Sequence, residues 1–492
     1  MSRREVLQLI SDALDNDEDA QYMFAYNLHQ VAAAFPQKVI CEQFIPFLIN
    51  WLPRNDYEVL CLVAKAIPSI EKAAGGIDPL SELIEALLAS EDTEVVDTTI
   101  ESFGNVNNTD NVILNISKSK YDKVRVYCLK FPQLSANEEL AMKICKNLIK
   151  DPSFLVRFAV AEYIPKLSHD NAFEIAKELM NDEHPRIRAY LPVVCCKMDF
   201  FFDMVPTLLT DPDWGVRSSL ATGLIQANDP VKSCEITTKL ISDSIWQVKL
   251  CALRSLTALL PQLSPTPFPQ GLSVISILSK LISSPHYHLK IAVIDCFFAI
   301  GKACQGQIPS ETLQAFADEL LAKQKNNIKL HFIKAIVLSK SELMASMISS
   351  NISSIIDALS RDDQWRVRFG IVEELERLAE LLPKDSNYRE NFKNVYIKLL
   401  EDEAYPVRMA AIHNLALSFV NGEQKIPNEV IEMKSVESFR KRQTALLIMQ
   451  EMYKNTKDDE LKKVLKDNMS SLFDDKCKSV ALLAKKLVEE IS

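Results

Sequence analysis

The sequence predicts an all-α fold: an α-solenoid (superhelix) of about fourteen stacked helix pairs. Three observations predict it. An acidic turn followed by an aliphatic–basic step recurs along the chain, and Asp151, Asp182, Asp211, Asp243, Asp362 and Asp402 are each followed six residues later by a base. Each copy opens an amphipathic stripe in the same phase: Val367, Gly370, Ile371, Leu375 and Leu378 in one, Val216, Ser219, Leu220 and Leu224 in another. Copies spaced by about thirty to forty residues are the mark of helix pairs that each leave an apolar face for the next pair to cover. Glycine, at 10 of 492 residues, is the third observation. Rossmann folds, P-loops and turn-rich β architectures need far more of it.

Taken in order, residues 3–34 give a first pair, broken at Asn16-Asp17-Glu18-Asp19, and 38–73 a second, with its turn at Pro53-Arg54-Asn55-Asp56. Gly75-Gly76 ends that pair, as glycine ends helices. Pairs at 77–104 and 109–134 are irregular: Val96 takes the basic slot in one, and Ser119 the acidic slot in the other. Regular pairs follow at about 137–167, 170–197, 200–227, 229–263 and 266–304. The pair at 309–341 turns on Lys323-Gln324-Lys325-Asn326-Asn327 and has no aspartate. The last four are 342–382, 386–419, 423–455 and 458–491, the final one with Ala481 in the basic slot. No long linker or low-complexity stretch interrupts 1–492, so one continuous solenoid is expected.

Bulk chemistry excludes several functions. Net charge is −10 and basic tracts are absent, which argues against nucleic acid. No apolar run reaches the length of a membrane span, and the first residues read as a helix start rather than a signal peptide. Eleven cysteines are scattered, mostly on apolar faces (Cys61, Cys128, Cys145, Cys251, Cys296), and read as small buried hydrophobes in a reducing compartment. The adjacent Cys195 and Cys196 suit neither a metal pair nor a redox motif. The expectation is a soluble, cytoplasmic protein with access to the nucleus.

Catalytic constellations are thin. Gly301 to Gly306 mimics the glycine spacing of a P-loop, but Gln307 stands where its lysine is needed. His286 and His288 are two apart, a poor spacing for a metal. No catalytic residue, metal or cofactor is expected, and the chain reads as a non-enzyme.

Two repeated features have separate roles. The Asp and the base six residues later are expected to form an architectural ladder, the turn Asp of one pair beside the second-helix Arg of the next. Aromatics at the turn-to-helix boundary (Phe154, Trp214, Trp246, Tyr287, Trp365, Tyr405) with neighbouring arginines are expected to line a binding ridge, since Trp, Tyr and Arg dominate interface hot spots.

The Asp-x4-Val-Arg/Lys turn is of the HEAT type. Asp362-Asp363-Gln364-Trp365-Arg366-Val367-Arg368, then Asp402-Glu403-Ala404-Tyr405-Pro406-Val407-Arg408, resembles the scaffold (A, PR65-like) subunit of protein phosphatase 2A. So do Glu58-Val59-Leu60, Gly75-Gly76 and Thr93-Glu94-Val95-Val96-Asp97, in that order. The resemblance covers most of the chain and implies a non-catalytic horseshoe. On it, 342–492 would hold the phosphatase catalytic subunit through Trp365, Arg366, Tyr405 and Phe439. Residues 1–304 would hold an exchangeable regulatory (B-type) subunit, with Phe154, Arg157, Asp213 and Trp214 on that ridge. The chain departs from the family in having about one pair fewer, in Gly215 after Trp214, and in the unsigned turn of 309–341: a divergent member. Another HEAT-type adaptor, such as a nuclear-transport carrier, a coat subunit or a regulatory subunit of a related phosphatase, is the alternative.

Overall fold

The computed structural model describes residues 17–263, 268, 270–303, 309–340, 342–382, 388–421 and 425–491. The predicted helix at 3–15 and most of the Gly301–Gln307 stretch lie outside the described residues. Among the described residues every regular element is a helix. The architecture is a HEAT-repeat α-solenoid, as the turn periodicity predicts.

Two compact units divide the chain, Met1–Ser255 and Leu256–Ser492. Within each, a pair consists of a first helix, a short turn and a second helix. Second helices pack side by side with second helices of neighbouring pairs. Such second helices in the first unit include α1 (Phe154–Tyr163), α2 (Pro185–Val194) and α3 (Trp214–Leu224). Three in the second unit are α4 (Trp365–Leu381), α5 (Tyr405–Asn421) and α6 (Phe439–Asn455).

Local chemistry accounts for the starts. Asp213 extends its backbone before α3 and accepts hydrogen bonds from the Gly215 and Val216 N–H groups, satisfying donors that have no partner inside the helix. Behind it Val216, Leu220 and Leu224 are wholly buried, so the stripe read from sequence is the packed face. Asp17 caps Glu18–Tyr26 at the break predicted between residues 16 and 19. Gly75 ends Ile67–Ala74 at φ +74°, the left-handed conformation that glycine adopts without penalty. The weak pair at 309–341 is also formed, as Ser310–Lys323 and Asn326–Ser339.

Close helix approach sets one strict size limit. Gly223 on α3 faces Pro192 inside α2, and a Cβ at that position would run into the Pro192 carbonyl oxygen and carbon. Backbone has to move to make room. Gly223→Ala is therefore expected to destabilise the first unit by about 1–2 kcal/mol, overpacking outweighing the ~1 kcal/mol that alanine gains in helix propensity. A urea unfolding curve measures it, and a raised midpoint would refute the close approach.

Cys61, Cys128, Cys145, Cys195, Cys196, Cys234 and Cys296 are buried and unbridged. Cys251, expected on an apolar face, is only half-buried and meets the Ser218 hydroxyl at 3.0 Å.

Candidate protein-docking turns

The turns that carry the motif are built on their aspartate. The Asp side chain accepts the N–H two residues on: Asp151 from Ser153, Asp182 from His184, Asp211 from Asp213, Asp243 from Ile245, Asp402 from Ala404 and Asp475 from Cys477, all at 2.8 Å. That local bond fixes the carboxylate, and an arginine fork then clamps it. Arg157 donates Nε and Nη2 to Asp182 at 2.7 and 3.1 Å, while its Nη1 reaches the carbonyl of Asp151 in its own turn at 2.7 Å. Arg125–Asp151, Arg188–Asp211 and Arg217–Asp243 repeat the geometry in the first unit. Arg368–Asp402 and Arg442–Asp475 repeat it in the second.

The ladder is present, but its direction is the reverse of the expected one. The arginine of one pair reaches forward to the aspartate of the next. Asp is short and held by its own turn, so the long guanidinium spans the step, and the stacking of the pairs sets the turn ahead, not the one behind, within its reach. Arg442–Asp475 escaped the sequence reading because Val436 occupies the acidic slot before Arg442 and Ala481 the basic slot after Asp475. Half of the motif was missing at each end. Ser119 keeps its slot's backbone role, accepting Arg125 Nη1 at its carbonyl at 2.7 Å. The weak pair carries hydrogen bonds with a single charged member instead, Lys290 to Gln324 at 2.7 Å and Asn326 to Asp362 at 2.9 Å.

These contacts shape the acid response. At Asp211, burial pushes the carboxyl pKa up, but the Arg188 fork, the Asp213 N–H and the charges of Arg188 and Arg217 outweigh it and hold it below the usual range. Asp243 and Asp402 are held down by the same balance, and Asp475 chiefly by the Arg442 hydrogen bonds. Because the folded pKa is the lower one, the stability they lend is complete above the unfolded carboxyl pKa of about 3.9. It is lost as pH falls through the depressed folded values. Melting temperature is expected to hold level above about pH 5 and to fall steeply below pH 4. A melt series from pH 3 to 7 checks this, and a flat profile through pH 3 would refute it.

Aromatics sit one position beyond the caps, at the first residue of second helices. Phe154, Trp214, Trp246, Tyr287, Trp365, Tyr405 and Phe439 each begin one. Their environments differ. Phe154 lies 4.1 Å from the His184 ring and 5.8 Å from Phe158, so it is partly spent on packing between turns. Trp214 is 46% exposed, on the edge of an open groove of about 520 Å³ that Pro212, Arg217, Asp243 and Ile245 help to line. Asp213 is engaged as the cap described above. Arg157 is only 6% exposed and its fork is spent on Asp182, with Glu183 at 3.1 Å, so it holds the ridge without offering free donors. Tyr57 also starts a second helix exposed, just after its cap Asp56. Sequence reading passed over it, although its place after Asp56 was a usable signal.

In the second unit the pattern is more uniform. Trp365, Tyr405 and Phe439 are 37%, 65% and 45% exposed on three consecutive pairs. Each carries a guanidinium near its ring: Arg366 at 4.9 Å from the Trp365 centroid, Arg408 at 5.7 Å from Tyr405, Arg440 at 6.0 Å from Phe439. Such stacking orders the ring at modest cost and leaves a large apolar surface presented to solvent. Arrays of this composition are what protein interfaces select for their centres.

Among the described residues no group of three or more His, Cys, Asp or Glu side chains could hold a metal ion. No described helix is long and apolar enough to cross a membrane.

No family model and no curated protein matches the sequence. Solved structures do, at the level of fold. Kap121p bound to Nup53p superposes with a TM-score of 0.53 at 12% identity, over 99% of this chain and 57% of that one. Kap121p alone gives 0.52 at 12% identity, over 96% and 57%. Kap95p, the yeast importin-beta, in its complex with RanGDP gives 0.51 at 11% identity, over 100% and 73%. The chain thus spans little more than half the length of Kap121p. These likenesses are to HEAT-repeat karyopherins and establish the solenoid; at such identity they say nothing of partners.

Proposed function

We propose that the chain is a non-catalytic adaptor that docks other proteins along its turns. One observation carries this: three consecutive turns of the second unit each present an exposed ring backed by arginine, the first two on second helices that the Arg368–Asp402 clamp ties together. In finer detail, the reading is a scaffold of a phosphatase 2A-type holoenzyme. Trp365, Arg366, Tyr405 and Phe439 would receive the catalytic subunit, and the ridge of Phe154, Arg157, Asp213 and Trp214 a B-type regulatory subunit. Its support is the Trp-Arg-Val-Arg turn and the order of motifs around it. Bringing both partners onto one chain raises the effective concentration of phosphatase beside captured substrates.

A nuclear-transport carrier is the second reading. On fold alone it is the better supported, because the similar structures include Kap121p with Nup53p and Kap95p with RanGDP. One experiment separates the two. Purified chain is titrated with a phosphatase 2A-type catalytic subunit and, separately, with a Ran-type GTPase loaded with GTP. The scaffold reading expects a one-to-one complex with the phosphatase only. A complex with the GTPase alone would transfer the assignment to transport, and binding to neither would remove both.

A further inference from the structure

Among the described residues, the step of the ladder that follows Arg408 is open. Arg408 on α5 has the start of the usual geometry: its Nη1 donates to the carbonyls of Asp402 and Glu403 in its own turn, at 2.6 and 3.0 Å. At the corresponding step below, Arg368 completes the fork on Asp402 with Nε at 2.6 Å and Nη2 at 2.9 Å. Arg408 has no such carboxylate among the described residues. The acidic slot of the following turn holds Val436, which is 37% exposed. The replacement leaves a second gap. Elsewhere the slot's Asp also takes the N–H two residues on, as Asp402 does from Ala404 at 2.8 Å. Here that donor is the Ser438 N–H, in an exposed turn, with no side-chain acceptor among the described residues. Arg408 Nε and Nη2 and the Ser438 N–H are thus the three donors that hold a carboxylate at every complete step. The acid that follows the slot also helps at two of those steps, Glu183 on Arg157 at 3.1 Å and Glu403 on Arg368 at 3.5 Å. Glu437 stands in that position here and makes no ion pair with Arg408.

We propose that Arg408 and the Ser438 N–H form a carboxylate-receiving slot, filled by an Asp or Glu side chain of the protein that docks on the second unit's ridge. Two features point to a protein carboxylate rather than a free anion. The donor set is the one that already binds aspartate elsewhere in this chain. Its two borders are Tyr405 and Phe439, exposed rings that begin α5 and α6 and suit the flanks of an acidic side chain on a folded partner. A charge-assisted, bidentate Arg–carboxylate bond between them would fix the register of the partner along the turns. The identity of that partner rests on the phosphatase reading above; the existence of the slot does not.

The test has two arms. In the first, acetate is titrated into the free chain, and the Nε–Hε NMR signal of Arg408, assigned by its loss in Arg408→Lys, is followed. The slot expects a saturable shift that persists in Glu437→Gln and is abolished in Val436→Asp, where the chain supplies its own carboxylate. No shift, or the same shift in Val436→Asp, overturns the slot. In the second arm the phosphatase 2A-type catalytic subunit is titrated into the wild type, Arg408→Gln and Val436→Asp. Both variants are expected to bind at least about tenfold more weakly, although Val436→Asp keeps or raises the melting temperature by completing the ladder. Wild-type binding with both variants unaffected overturns the proposed occupant and leaves the phosphatase reading standing. Absence of wild-type binding removes that reading and that occupant, and the acetate arm still decides the slot.

Discussion

Asp211→Ala is expected to destabilise the first unit by about 3 kcal/mol, the low end of what breaking a buried ion pair costs when one charge is left behind. Three bonds go at once. Arg188 loses both arms of its fork, at 2.7 and 3.0 Å, and keeps only the carbonyls of Asp182 and Glu183. The Asp213 N–H loses its acceptor, so the turn that precedes α3 loosens as well. The carboxylate is only 5% exposed and the guanidinium 12%, so water makes up little of the loss. Asp211→Asn, which can still accept the Asp213 N–H, should cost clearly less. Urea unfolding of the two variants checks both statements. A loss of under ~0.5 kcal/mol in the alanine variant, the scale of a solvated surface pair, would demote the ladder to surface decoration.

Replacing Trp365 and Tyr405 together by alanine is expected to weaken catalytic-subunit binding by at least about 2 kcal/mol, roughly thirtyfold, with the fold retained. Retention is expected because both rings project from the first position of their helices, while the packing beneath is made by residues such as Val367, Ile371, Leu375 and Val407, all buried. Arg366 stacks on Trp365 and would lose its support, so the two substitutions should also remove part of its contribution. Isothermal titration of wild type and double variant measures the effect, with circular dichroism as the folding control. Unchanged affinity in a folded variant would remove both residues from the docking ridge.

Most of the architecture was legible because each of its devices is local and repeated. Val216, Leu220 and Leu224 lie within one helix, and their spacing alone announces a buried stripe; that Asp213, expected on the docking ridge, is spent as the cap of that helix is visible only in the structure. The ladder was legible as composition but not as connectivity. Asp and Arg six apart in sequence look like partners, yet Arg157 shares only the backbone of Asp151 and saves its fork for Asp182, a choice set by stacking rather than by spacing. Arg442–Asp475 was hidden for the same reason: each residue lacks its in-sequence companion. Among the candidate docking residues, Trp365, Arg366, Tyr405, Phe439 and Trp214 are exposed at turn ends, where their sequence positions put them. Arg157 is buried by a neighbouring pair, and nothing in the residues around it signals that.

Hydrogen exchange across the second unit, with and without a bound phosphatase 2A-type catalytic subunit, tests the docking account most directly. The account predicts new protection at the turns around 361–366, 401–405 and 436–441, with the first helices Tyr388–Leu399 and Asp459–Ser470 unchanged. Protection confined to those first helices, with the three turns exchanging as in the free chain, would contradict it.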